Sequence, residues 1–149
     1  MSRPFQKFVP YTIVLALGLF IVIGCSTTNG PRQQNIKVAL TGDQEVPPVK
    51  TSATGSASFV ISADKSVSGR VATSGVEATA AHIHEGAKGA NGPVIVPLTK
   101  IADGSWTPAA GAKLTDAQYA SYLAGNLYVN VHSAANKGGE IRAQLVPAK

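Results

Sequence analysis

From Ile36 onward the chain alternates apolar and polar positions in short runs broken by turn residues, the period of strands buried on one face. Lys37-Val38-Ala39-Leu40 starts one such run, which ends at Thr41-Gly42-Asp43. Gln44 to Lys50 contains Pro47-Pro48, which cannot donate to a sheet ladder and predicts an edge or a loop. Ala57 to Ile61 and Ser66 to Ala72 predict two strands joined through Ala63-Asp64-Lys65. Ala78 to His84 predicts the next, followed by a loop from Glu85 to Pro93 with glycines at 86, 89 and 92. That loop lacks the strand-to-helix setting of a phosphate-binding loop and reads as a turn. Further strands are expected at Val94 to Leu98, around Ser105-Trp106-Thr107, at Leu127 to His132 and at Glu140 to Val146, the last two joined by Lys137-Gly138-Gly139. One helix interrupts them. Thr115 and Gln118 have the spacing of a capping box, Leu114 can pack on Tyr119, and Gly125 stands where a helix ends in a left-handed residue. The pattern predicts an all-β fold, an antiparallel Greek-key β-sandwich or barrel with one short helix near residues 115–124. There is no internal repeat.

The N-terminal segment breaks this alternation. Arg3 and Lys7 precede an apolar run from Tyr11 to Ile23, which closes on Gly24 and Cys25, the chain's one cysteine. The run is shorter than the roughly 18 to 20 apolar residues of a spanning helix, although an uncleaved anchor is the alternative. The segment resembles a bacterial lipoprotein signal. Residues 1–24 are then expected to be removed and Cys25 to carry the lipid, with 25–35 as a flexible polar tether and 36–147 as the folded domain. This predicts a cell-envelope protein, anchored to a membrane through lipidated Cys25 and facing the extracytoplasmic side. Losing Arg3 and Lys7 lowers the formal charge from +5 to +3. The lysines are scattered, with no basic stripe or interleaved aromatics, so no nucleic-acid partner is expected. A lone cysteine allows no internal disulfide, leaving packing, or packing plus a metal, to hold a single core.

All three histidines fall in two strand-like segments: His82 and His84 in Ala-His-Ile-His-Glu-Gly, and His132 in Tyr-Val-Asn-Val-His-Ser. Strand parity puts His82 and His84 on one face and Ile83 on the other; it likewise groups Tyr128, Asn130 and His132 against Leu127, Val129 and Val131. With the aliphatic face turned to the core, the histidines are expected on a sheet's outer face, and neighbouring strands about 5 Å apart would let one metal bridge them. Three imidazoles without thiolate suit a single Cu or Zn ion better than Mg or Ca. Glu85, Asn130 and Arg142 are candidates to support the ligands from behind, Glu85 being solvated if its strand continues and it points to the other face. The plainer alternative is that the histidines hydrogen-bond neighbouring backbone and stabilise the strands.

Four segments carry a resemblance: Leu40-Thr41-Gly42-Asp43-Gln44-Glu45-Val46-Pro47-Pro48-Val49, Ala81-His82-Ile83-His84-Glu85-Gly86, Leu127-Tyr128-Val129-Asn130-Val131-His132-Ser133 and Gly139-Glu140-Ile141-Arg142-Ala143-Gln144-Leu145. Together, over about residues 36 to 147, they resemble the CHRD domain, first described in chordin and found in bacterial secreted proteins. The resemblance implies a domain but no settled activity. Separately, His82-Ile83-His84-Glu85 before Gly86 is similar to the copper-ligand strand of copper–zinc superoxide dismutase. That likeness implies an antiparallel Greek-key sandwich, with His132 as a further copper ligand and Arg142 in the place of a substrate-guiding arginine. The departures are plain: no fourth histidine bridges copper and zinc, no cysteine pair braces the site, and no zinc cluster is present. A salt bridge to Glu140 or another acid is the other role open to Arg142.

The leading expectation is a non-catalytic, lipid-anchored domain holding Cu or Zn through His82, His84 and His132. A structural or adhesive module without metal, meeting an unidentified protein through a loop such as Glu85 to Pro93, is the alternative. A copper-dependent oxidoreductase is the second alternative.

Overall fold

A computed structural model describes residues 34–147. The expected signal, Cys25 and most of the tether lie outside the described residues. Eight strands and one helix follow in order: β1 (Gln34–Leu40), β2 (Thr54–Ile61), β3 (Val67–Ser74), β4 (Ala78–Glu85), β5 (Val94–Ala102), β6 (Ser105–Pro108), α1 (Asp116–Leu123), β7 (Leu127–Ser133) and β8 (Ile141–Leu145). The first strand begins two residues earlier than the alternation suggested, because Gln34 and Asn35 pair with Ile61 and Val60 across the β1–β2 ladder.

The strands form one sheet in the order β1-β2-β3-β6-β5-β4-β7-β8, and every pairing is antiparallel. Strands β4, β5 and β6 form a meander, and β7 returns to lie beside β4, which is a Greek key. Thr41 and Arg142 exchange backbone hydrogen bonds of 3.2 and 3.1 Å, bringing the end of β1 against β8 and nearly closing the sheet into a barrel.

The barrel interior collects one parity of each strand: Ile36 and Leu40, Ala57, Phe59 and Ile61, Val71, Ala81 and Ile83, Val129 and Val131, and Ile141 to Leu145 by alternate residues. Phe59 faces Gly69 in register, and a Cβ there would collide with its ring and with Ser58 O; the glycine's φ of +144° also lies where side chains are strained. The loss of a side chain on β3 makes room for the aromatic ring on β2.

Helix α1 lies in the β6–β7 connection. Its Thr115–Gln118 capping box is present in both directions. At its end Gly125 N–H donates to Tyr122 O and Asn126 N–H to Ser121 O, with Gly125 at φ +76°, the Schellman arrangement. Leu114 and Tyr122 join the core.

Strand β7 departs from the expected pattern. It is not half buried: Tyr128 and Asn130 are each 2% exposed, as enclosed as Val129 and Val131 on the opposite face. The outer face of β4, β7 and β8 is covered by two loops, residues 41–50 and 86–93. Asn91 Nδ2 donates to Val46 O at 2.7 Å and ties the loops together. The strand sequence shows the alternation, but only the folded chain supplies the second cover.

Candidate metal centre

Strand β4 carries His82 and His84 on its outer face, and β7 pairs beside it in a register that sets His82 opposite Asn130, His84 opposite Tyr128 and Ala80 opposite His132. His132 therefore sits diagonally from His82, close enough for their rings to meet. One nitrogen from each of the three histidines lies within 4.8 Å of the other two. His82 Nδ1 and His132 Nε2 are 3.0 Å apart. Tetrahedral ligation at about 2.0–2.1 Å places nitrogens about 3.3 Å apart, a spacing close to the 3.0 Å pair and tighter than the 4.8 Å span of the cluster.

Backbone carbonyls orient two of the rings. His84 Nδ1–H donates to Gly92 O at 2.9 Å, and His132 Nδ1–H donates to Lys137 O at 2.9 Å. Each bond leaves Nε2 as the lone-pair atom. His82 Nδ1–H then donates to His132 Nε2, and His82 can present that same Nδ1 to a metal by moving its proton to Nε2. His84 Nε2 is buried with no hydrogen-bond partner. Burial pushes all three imidazoles below their usual range, reinforced at His82 by His132 and His84, whose positive charges would oppose its own. All three are thus neutral at neutral pH, the form that binds metal.

The loops that hold these carbonyls are themselves positioned. Gly92 turns so tightly over β4 that a Cβ there would overlap Glu85 O. Glu85 N–H donates to Pro93 O at 3.1 Å, and Gly86 N–H to Asn126 O at 2.8 Å. On the other side, the Lys137-Gly138-Gly139 turn offers two carbonyls, one to His132 and one, Gly138 O, to Asn130 Nδ2 at 3.3 Å.

Behind His84 lies a stack. The Tyr128 ring is 4.8 Å from the His84 ring and within 7° of parallel to it, and the Arg142 guanidinium carbon sits 3.4 Å from the Tyr128 centroid. Gly92 N–H donates to the Tyr128 hydroxyl at 3.1 Å. Asn130, buried and with its Oδ1 outside strict hydrogen-bond geometry, lies between His84 and Glu45 and acts on both. It raises the proton affinity of His84 and lowers that of Glu45, as expected of an amide with its oxygen towards one and its nitrogen towards the other.

The residues named from sequence therefore part company. His82, His84 and His132 are brought together, with Asn130 beside them and Arg142 one ring further away. Glu85 is not: on the opposite parity of β4, it accepts from Ser121 Oγ and fastens α1. Of the acids open to Arg142, Glu140 is not its partner, and Glu45 is the one whose charge acts on it, with no ion pair within 4 Å. Glu140 accepts from Thr51 Oγ1 at 2.7 Å, while Arg142 donates to Asn91 Oδ1 at 3.1 Å and Ala90 O at 2.8 Å. The sequence reading missed Glu45, Tyr128 and the carbonyls of Gly92 and Lys137. The shared parity of Tyr128 with His132 was the available signal for the tyrosine; the carbonyls come from loop geometry that no side-chain pattern records.

The donor set fits a transition metal: three neutral imidazoles with a nitrogen of each within 4.8 Å of the others, no carboxylate among them, and a buried His84 Nε2 outside hydrogen-bond geometry. Comparison with protein families finds the CHRD domain over residues 36–145. Neither the curated proteins nor the solved structures compared with the chain produced a match.

Proposed function

The chain belongs to the CHRD-domain family, and from that premise we propose that it is a non-catalytic metal-binding domain taking one Cu or Zn ion through His82 Nδ1, His84 Nε2 and His132 Nε2. The observation that carries this reading is that one ring nitrogen from each of His82, His84 and His132 lies within 4.8 Å of the others, with His84 held through Nδ1–H by Gly92 O and its Nε2 buried. A histidine serving only the strand would use both ring nitrogens or expose one to water. This one commits Nδ1 to Gly92 O and buries Nε2 within a cluster of three imidazoles, beside the Asn130 amide.

The bound metal would supply an electrophilic centre; the protein's share is to pre-orient the nitrogens through Gly92 O and Lys137 O. The N-terminal segment supports a place for the domain on the outer side of a membrane, with Cys25 as its lipid-carrying residue. Metabolic labelling with a radioactive fatty acid tests that separately, since Cys25→Ala abolishes the label if the reading holds.

Isothermal titration of the metal-free full chain with Cu(II) and with Zn(II) is expected to show one site per chain for at least one of the two ions. The double variant His82→Ala plus His132→Ala loses it. Absence of uptake by the wild type, or unchanged uptake by the variant, would overturn the assignment.

A further inference from the structure

Beside the histidines, a cleft of about 460 Å³ opens between the two covering loops. Glu45, Val46 and Pro48 line one side, Lys88 stands on the other, and Arg142 and Gln144 line it from β8. Arg142 is among the most deeply buried side chains, 1% exposed. Its acceptors, Asn91 Oδ1 and Ala90 O, are both neutral, and so is the Tyr128 ring beneath it. The ion pairs among the described residues join Lys65 to Asp116, Lys100 to Asp103 and Lys113 to Asp64, and none includes Arg142. Glu45 is the acid whose charge acts on Arg142, but the two make no ion pair within 4 Å, so the guanidinium keeps donors free towards the cleft.

We infer that the cleft binds a small organic carboxylate, its anionic head on Arg142 and its apolar part against Val46 and Pro48. Arg142 carries five N–H donors and spends two on the loops, leaving donors for the paired bonds by which guanidinium recognises a carboxylate. Lys88, exposed beside the cleft, adds attraction for an incoming anion. Glu45 does not cancel this. Burial pushes its carboxyl up to about 7, so at neutral pH and below much of it is protonated, and it can donate rather than repel. The other charged groups lining the cleft are Asp43 on the same turn as Glu45, Lys88 on the loop opposite and Arg142 on β8. The ligand belongs to a site separate from the three histidines, and its binding requires no metal.

The test is a titration of the metal-free, ¹⁵N-labelled full chain with hexanoate, followed by NMR, using hexanamide and inorganic phosphate as comparisons. At pH 6 hexanoate is expected to move the Glu45, Lys88 and Gly89 amides and the Arg142 Nε–H saturably at millimolar concentration, with hexanamide at least about tenfold weaker. At pH 8 the hexanoate affinity falls by about tenfold, as Glu45 must take up a proton on binding. Lys88→Glu, an exposed change, weakens binding several-fold at an unchanged melting temperature; Arg142→Gln abolishes it. If Arg142→Gln does not fold, the Lys88→Glu and hexanamide comparisons still decide. Equal response to the acid and its amide, no saturable response to hexanoate, or full affinity in the folded variants would overturn the inference. So would saturation by phosphate alone, which would make the ligand an inorganic oxyanion.

Discussion

At residue scale, the candidate centre depends on which ring nitrogen carries each proton. Lys137 O and Gly92 O hold Nδ1–H on His132 and His84, so the proposed metal uptake at neutral pH would require only a tautomer change at His82 and little net proton release. Glu45 behaves in the opposite sense. Burial raises its carboxyl from 4.5 to about 7, against the pull of Arg142, the Val46 N–H and Asn130. Between those values the folded protein holds a proton that the unfolded chain has released. This contribution to stability is therefore full below about 4.5 and is lost as pH rises through about 7. The three imidazoles have the reverse sign: with folded values depressed, their burial costs nothing when neutral and opposes folding as pH falls below 6.5, where the unfolded chain protonates. Glu45→Gln removes one of these terms and leaves the other. Urea unfolding at pH 5 and pH 8 is expected to show that the wild type loses stability relative to the variant at the higher pH; parallel pH dependence in the two proteins would refute the assignment.

At the scale of elements, β7 is a strand with two buried faces. Its aliphatic side packs in the barrel, and its polar side works as the floor of the histidine cluster under two loops. The loop from Glu85 to Pro93 is more than a turn. It supplies Gly92 O to His84, the Gly92 N–H to Tyr128, and Ala90 and Asn91 to Arg142. Gly92 allows this because a Cβ would overlap Glu85 O, whereas a Cβ at Gly138 in the β7–β8 turn meets nothing within 4 Å. Gly92→Ala must shift the loop and is expected to lose about 1–3 kcal/mol of stability and about tenfold in metal affinity, since its carbonyl orients a ligand. Gly138→Ala should leave both nearly unchanged. Thermal melts and metal titration of the pair would check this, and equal effects would detach the loop from the site.

Across the whole molecule, the barrel separates packing from chemistry by strand parity. The same β4 and β7 turn Ile83, Val129 and Val131 inward and His84, Asn130 and His132 outward. A core lesion should then weaken the fold without altering the ligand set. Phe59→Ala, at a side chain with no exposure, is expected to cost about 3–5 kcal/mol in denaturant unfolding while the folded fraction still binds metal with unchanged stoichiometry. A changed stoichiometry would mean that the outer face depends on details of interior packing. Closure matters too: the Thr41–Arg142 backbone pair fixes the strand that carries Arg142 beside the turn that carries Glu45. The carboxylate cleft and the barrel seam are therefore neighbours in the fold.

Much of this was legible in the chain. Alternation and turn residues were enough for an all-β Greek-key domain, because side-chain parity in a strand is local geometry. The Thr115–Gln118 box and Gly125 marked the one helix for the same reason, since caps are satisfied within a few residues. Parity also grouped His82 with His84, and Asn130 with His132. Only the tertiary structure decided the rest: that β4 and β7 are neighbours in a register bringing three nitrogens together, and that loops cover this face and bury Arg142 and Glu45. Glu85 and Glu140 found partners in Ser121 and Thr51, and Arg142 donates to the neutral oxygens of Asn91 and Ala90. These depend on strands, a helix and loops far apart in sequence. A burial environment belongs to the assembled surfaces, and no single segment contains it.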